Sequence, residues 1–474
     1  MGFNDLREFI KSVDSLGELR VINGADWDLE IGGITEVAAA SPNCPMLLFD
    51  KIKGYKPGYR VVANLLHTES RLAVALGASP DLRGMGLIKN WKESLGNITG
   101  GLPPIPVSDG PVAENIIAGD DVDVFRLPAV KWHELDGGRY FTAGVTITRD
   151  PDEGWVNLGI YRLQIQDEST LSLYIQQGAH GKMILSKYWA KGKSCPVAIP
   201  LGYSPALFIA ATLPVPWGLS EYDVAAQING APIEVIPGKF TGLPVPATAE
   251  VVLEGEVPPP EVESHEEGPF GEATGYYTSR ASIEPVIKIK SIMHRNDPII
   301  QGAPPMKPLP GQFHFPVNHR CATLWNELEK CGIPDIKGVW QHAYGLMVIS
   351  LKQRYAGHAK QAALIARGSR SSEYARFIVT VDEDIDPYNI AEVIWAIATR
   401  CDPEQDIAII KEVFSAGIDP LVTPQQRALN DFTTGKAIIN ACKPIYRRDS
   451  FPTVVGASPE LKAQIMKKWW DVIK

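Results

Sequence analysis

The chain has 474 residues, 45% of them hydrophobic and 21% charged, with a formal net charge of −9 and a sequence pI near 5.6. This is the composition of an ordinary globular protein, and the length suggests about three domains. The acidic balance and the lack of any Lys/Arg block argue against a nucleic-acid partner.

Cys44, Cys195, Cys321, Cys331, Cys401 and Cys442 are scattered with no CxxC pair. That fits reduced thiols in a cytoplasmic protein better than a disulfide framework or a zinc site. The N-terminal stretch MGFNDLREFIKSVDSLGEL carries charge throughout and does not read as a signal peptide. The most apolar run, 205–219, is interrupted by Pro214 and Pro216, so no membrane span is expected.

Along the chain, Asn4 is the expected cap of a helix carrying Leu6, Phe9, Ile10 and Val13 at helical spacing and ended by Gly17. Short strands at 19–22, 46–49 and 59–62 and a helix at 70–76 complete an α/β unit over residues 1–110. The Pro/Gly-rich stretch 100–111 is its boundary. From 111 to 305 strands dominate, at 141–149, 155–166, 171–176, 196–201, 233–236, 249–253 and 286–292, which points to a barrel or sandwich. Residues 204–226 read as helical around a Pro-rich break. From 306 to 474, helices at 322–330, 357–367 and 390–399 alternate with apolar runs at 346–351 and 377–381, a third α/β unit. An amphipathic helix over 458–473 carries Leu461, Ile465, Met466, Trp469 and Trp470 on or near one side. Such a helix is expected to dock, on its own chain or on a neighbour.

The sequence contains no GxGxxG after a strand, GxxxxGK[ST], GxSxG or HExxH. What stands out is Glu266-Glu-Gly-Pro-Phe-Gly-Glu272, where Glu267 and Glu272 lie five residues apart on a segment too rich in Gly and Pro for a regular helix. Two carboxylates held close disfavour ionising together, so one can stay protonated and act as a general acid. A solvated acidic turn is the other reading of the same residues. Upstream, Asn157, His180 and Glu221 form a mixed O/N set suited to Mn²⁺ or Mg²⁺, although each alone is more often an ordinary strand-edge, hydrogen-bonded or solvated residue. Asn157 and Arg162 have odd spacing and would face opposite sides of one strand unless a bulge intervenes.

These residues belong to a larger ordered set: Asn157-x-x-Ile160-x-Arg162, His180, Thr212-Leu-Pro214-x-Pro216, Ser220-Glu221, Pro246-Ala-Thr-Ala-Glu250, Glu267-Gly-Pro-Phe-Gly-Glu272, Val381-Asp-Glu-Asp-Ile-Asp386 and Trp395 to Arg400. Across essentially its whole length the chain resembles the UbiD-type (de)carboxylases, a group that includes ferulic acid decarboxylase and uses prenylated FMN. The resemblance implies an α+β chain of three domains. A central split β-barrel binds the flavin, between N- and C-terminal α/β domains, and the last serves oligomerisation (dimer or hexamer). It further implies that Asn157, His180 and Glu221 hold Mn²⁺ (or Mg²⁺), with K⁺ nearby, against the cofactor phosphate. Ile160, Thr212, Leu213 and Pro214 contact the flavin, and Arg376 stands where relatives carry a phosphate-binding Lys.

In the implied mechanism Arg162, Glu267 and Glu272 form the catalytic network. The cofactor is a covalent electron sink, CO₂ leaves, Glu272 delivers the replacing proton, Arg162 orients the substrate carboxylate, and carboxylation at high CO₂ is allowed. A flavin prenyltransferase would supply the cofactor. Tyr174, Gln176, Ala273, His314 and His342 are candidate pocket residues, and with the segment His133 to Tyr140 they favour an aromatic or heteroaromatic acid. A flavin-free metal-dependent hydrolase or lyase, and a flavin-binding subunit of a larger carboxylase, are the other classes left open.

Overall fold

The computed structural model describes residues 2–96, 101–278, 281–307 and 320–473. The first helix, Leu6–Ser15, buries Leu6, Phe9, Ile10 and Val13, but its cap is Asp5 rather than Asn4. The Asp5 carboxylate accepts from the Glu8 N–H and satisfies one of the helix's free donors. Helices Glu30–Ala39 and Gly84–Gly96 were not anticipated from periodicity. The N-terminal sheet runs in the order Leu19–Asn23, Met46–Asp50, Arg60–Ala63, Ile299–Gln301. Its last strand arrives from the far end of the central region and pairs in parallel with Arg60–Val62. A free edge is thereby covered, and the first two units are tied together.

The central sheet runs in the order Tyr140–Phe141, Arg162–Ile165, Thr170–Tyr174, Ser282–His294, Val251–Val257, Cys195–Leu201, Val145–Arg149, Val156–Ile160. Strands Ser264–Glu267 and Asn115–Ala118 pair with Ser282–His294 off this path. Two strands near opposite ends of the path, Val156–Ile160 and Arg162–Ile165, are consecutive in sequence with only Tyr161 between them. The sheet therefore curls back on itself at the point where the site forms. Side chains alternate between two cores: Val197, Ile199 and Leu201 pack in one, and Ala198 packs in the other with Ile147 and Leu158.

The register between Val251–Val257 and Ser282–His294 slips at Glu254/Gly255. A Cβ on Gly255 would lie 2.1 Å from the Lys288 carbonyl oxygen. Gly255→Ala is therefore expected to cost about 1–3 kcal/mol or more through backbone displacement, read as a lowered thermal unfolding midpoint.

The C-terminal sheet is ordered Ile336–Ala343, Leu346–Leu351, Phe377–Asp382, Thr433–Ala441, Ile407–Phe414. Its middle three strands are parallel. The outer two, together with Thr433–Ala441, are strands that the sequence pattern did not reveal. The terminal helix Pro459–Ile473 is exposed along its length. Among the described residues, no helix is long and apolar enough to cross a membrane.

Candidate active site

Arg162 opens the strand Arg162–Ile165, and Tyr174 sits opposite it on Thr170–Tyr174. The Arg162 guanidinium lies 4.0 Å from the centre of the Tyr174 ring. It donates to both oxygens of Glu267 at 2.8 and 2.7 Å and, through Nη1, to Glu272 at 2.6 Å. All three side chains are more than nine-tenths buried. Charge-assisted bonds of this kind are what make a buried guanidinium and two carboxylates tolerable together. Arg162 spends three of its five N–H donors here, leaving two for a ligand. Burial pushes the Glu272 carboxyl up, opposed by the Arg162 charge. Glu272 is thus biased towards keeping a proton.

The loop carrying both glutamates is held from behind. Gln164, on the same face of the strand as Arg162, accepts from the Gly268 N–H at 2.8 Å and from the Tyr140 hydroxyl at 3.1 Å. Gly268 has φ +96°, a conformation that excludes other residues. The segment singled out at 133–140 backs the loop: the Gly137 N–H donates to Pro269 O at 2.8 Å, and the Tyr277 hydroxyl donates to Asp136 at 2.8 Å. The turn is structured and Glu267 and Glu272 are both buried in it, so the solvated-turn reading of these carboxylates is set aside.

The strand break at Tyr161 resolves the parity problem between Asn157 and Arg162. Both face one cavity of about 420 Å³, also lined by Ile160, His180, Thr212, Leu213, Pro214 and Glu221. Glu221 opens the helix Glu221–Asn229, capped by Ser220, and its carboxylate accepts from the Leu158 N–H at 2.7 Å. Burial pushes this carboxyl up to about 8. His180 opens the helix His180–Trp189 and stands edge-on to Trp155 and Trp217. Burial, then the nearby Arg370, pushes its imidazole down, which keeps it neutral and fit to be a ligand. The Nδ2 of Asn157 is buried with no hydrogen-bond partner. The Glu221 carboxyl, the neutral His180 imidazole and the Asn157 amide, whose oxygen is its ligating atom, line one wall and form an O/N donor set suited to a hard divalent cation. Among the described residues, no group of three His, Cys, Asp or Glu side chains is placed to hold a metal, so the set depends on the Asn157 amide.

Tyr174, Gln176 and Ala273 line the cavity; His314 lies outside the described residues. His342 is elsewhere, its Nε2 2.8 Å from the Pro387 carbonyl. Arg376 is also elsewhere: it pairs with Asp419 at 2.6 Å and borders a separate cleft. The cation that reaches the His180 end is Arg370, which donates to Gly178 O at 3.1 Å and lies 3.4 Å from His180 Nε2. Arg320, Tyr344, Glu373 and Tyr374 also contribute to the cavity from the C-terminal region and were not foreseen. Gly368-Ser-Arg370-Ser-Ser, a polar run directly after a helix, was the available signal for Arg370.

Residues 10–90, 105–308 and 319–441 match, in turn, the N-terminal, Rift-related and C-terminal domains of 3-octaprenyl-4-hydroxybenzoate carboxy-lyase, UbiD. The chain belongs to the UbiD carboxy-lyase family. As a UbiD-family carboxy-lyase it is a decarboxylase by class. It is 31% identical over 458 residues to the phenolic acid decarboxylase of Bacillus subtilis (strain 168), covering 94% of this chain and 93% of the relative. Its fold is similar to that of the vanillic acid decarboxylase of Sedimentibacter hydroxybenzoicus in closed form, with TM-score 0.86, 28% identity and complete coverage of both chains. An evolved dimeric form of the UbiD-class enzyme HmfF from Pelotomaculum thermopropionicum, in complex with prFMN, aligns at TM-score 0.79 and 27% identity over 97% of this chain and 98% of that one. These neighbours share the mixed α/β, three-part architecture.

Proposed function

We propose that this UbiD-family chain decarboxylates an aromatic or heteroaromatic acid with prenylated FMN bound in the 420 Å³ cavity. The observation that carries the reading is one cavity bearing both the buried Glu267–Arg162–Glu272 network and the Asn157, His180, Glu221 cation set. The prFMN complex of HmfF and the aromatic acids named for the other relatives point the same way. In this reading the curled central sheet is a split β-barrel and the domains divide near residues 110 and 305. The C-terminal domain mediates a homo-oligomer, and the protein works in the cytoplasm.

When bound, prenylated FMN supplies an electron sink for the pair left behind as CO₂ departs. The two free N–H donors of Arg162 hold the substrate carboxylate, and Glu267 fixes the guanidinium in place. Glu272, which burial biases towards its protonated form, delivers its proton to the carbon that loses CO₂. Turnover should therefore fall as pH rises through the Glu272 pKa. Asn157, His180 and Glu221 would hold Mn²⁺ or Mg²⁺, with K⁺ nearby, against the cofactor phosphate, and Arg370 takes the place expected of Arg376. Ile160, Thr212, Leu213 and Pro214 form the wall for the flavin ring, while Tyr174, Gln176 and Ala273 face the substrate. The same groups run the reverse carboxylation at high CO₂.

The test is protein co-expressed with a flavin prenyltransferase, examined by absorption spectrum and mass. Hydroxybenzoates and furan or pyrrole carboxylates are then assayed for CO₂ release. A bound flavin carrying the prenyl mass, with CO₂ released from at least one acid, is expected. Chelation of the divalent ion is expected to release the flavin, followed by its fluorescence. Protein that carries metal but no flavin and is inert on every acid would overturn the reading in favour of flavin-free metal chemistry.

A further inference from the structure

The proton donor is seated partly by a different domain. Between the strands Ile407–Phe414 and Thr433–Ala441 the C-terminal region sends out a turn around Gly417 that packs on the catalytic loop. The Thr274 hydroxyl, two residues beyond Glu272, donates to Ile418 O at 3.2 Å, and the Thr278 hydroxyl donates to Gly417 O at 3.4 Å. Gly417 is also pressed against the tyrosine that stacks on Arg162, since a Cβ there would lie 2.9 Å from the Tyr174 hydroxyl. Gln177, on the cavity wall, donates to Asn430 at 3.2 Å across the same joint. Ser415, Ala416, Ile418, Asp419 and Val422 are buried, so the turn is a packed element.

One side chain organises it. Arg427, on the short helix Pro424–Ala428 with its Thr423/Gln426 capping box, donates from Nη1 to Gly417 O and from Nη2 to Asp419 O at 3.0 Å. The guanidinium spans the turn from behind: it holds the Gly417 carbonyl that receives Thr278 and, through Asp419 O, brackets Ile418, whose carbonyl receives Thr274. Two carbonyls held by one planar fork form a stiffer support than either bond alone.

We propose that Arg427 is a positioning residue for decarboxylation: it holds the Gly417–Asp419 turn against Thr274, Thr278 and Tyr174 and thereby sets where Glu272 presents its proton. The inference rests on the reading of Glu272 as donor. Glu272 is faced by Arg162 from the central sheet, by Glu267 from its own loop, by the Tyr174 and Tyr344 phenols, and by Arg427 from the C-terminal domain. Arg427 adds a second positive charge that favours the ionised form of Glu272, smaller than that of Arg162.

The experiment compares flavin-loaded wild type with Arg427→Met and Arg427→Lys for kcat, KM, the pH profile of kcat and flavin content. For Arg427→Met, kcat is expected to fall about ten- to a hundredfold, as for a displacement of about an ångström at a reacting group. KM and flavin content should be unchanged. With one facing cation gone, the alkaline decline of kcat should move to higher pH. Arg427→Lys keeps the charge and is expected to restore the position of that decline while recovering kcat only in part. Unchanged kcat, or a loss of kcat matched by lost flavin with the pH profile in place, would reduce Arg427 to a structural residue. Where Arg427→Met does not fold, Thr274→Val combined with Thr278→Val removes the same joint from the other side, and normal kcat there overturns the proposal. A wild type without flavin or turnover, or a Glu272→Gln variant that still turns over, would instead sink the underlying reading.

Discussion

Glu272→Gln is expected to lose about 10²–10⁴-fold in kcat, the usual contribution of a positioned general acid, while keeping its flavin. The amide preserves shape and can still accept from Arg162 Nη1, as the Glu272 carboxylate does at 2.6 Å. It has no proton to give to the carbon that loses CO₂. The Arg162–Glu267 pair, with its two bonds, stays intact, so folding and cofactor retention should be close to wild type. Single-turnover assays separate the steps. With the amide in place, CO₂ release is expected to survive better than net product formation, because the missing event is reprotonation. Full activity in the amide variant would remove Glu272 from the mechanism.

Arg162→Met should be the more damaging substitution for the protein as a whole. It leaves Glu267, whose side chain is fully buried, beside the nearly buried Glu272 with no cation between them. Removing one partner of a buried ion network costs about 3–5 kcal/mol, because the remaining charge has neither water nor counter-ion. The network can relieve this only by protonating one or both carboxyls. A lower unfolding midpoint is expected, with greater loss at alkaline than at acidic pH, because deprotonation restores the repulsion. Turnover should be lost with it, since the donors proposed for the substrate carboxylate vanish. Adding Glu267→Gln to Arg162→Met removes one uncompensated charge and should return part of the stability, a coupling visible in a double-mutant cycle. Equal stability of the single and double variants would show that the carboxylates are not electrostatically coupled through Arg162.

Much of the site could be read from residue order. Glu267, Glu272, Arg162, Asn157, His180 and Glu221 were each picked out along the chain, and all six line one cavity or anchor its wall. Glu272 and Glu267 were legible because Gly and Pro at 268, 269 and 271 rule out a helix and leave a loop. Gln164 was within reach as well, since it shares the Arg162 face of an alternating strand, yet its bond to Gly268 shows only in three dimensions. The short strands at 105–106 and 299–301 were missed because each takes its stability from a partner distant in sequence. The helix at 180–189 was hidden inside a region whose overall signal is strand.

Composition and periodicity thus determined the three-part organisation and most of the secondary elements, while the order of motifs, through the resemblance it carries, determined the class of protein and singled out the central polar residues. Those properties are local, or are ordered along the chain. The tertiary structure alone decided which cations share the site: Arg370 and Arg320 enter it, and Arg376 turns away to Asp419. It alone set His342 against Pro387 rather than in the cavity, and it alone brought Gly417 and Arg427 to the loop that carries Glu272. The reason is physical. A charged side chain's destination is set by the nearest partner that offsets its desolvation, and that partner can come from any part of the chain.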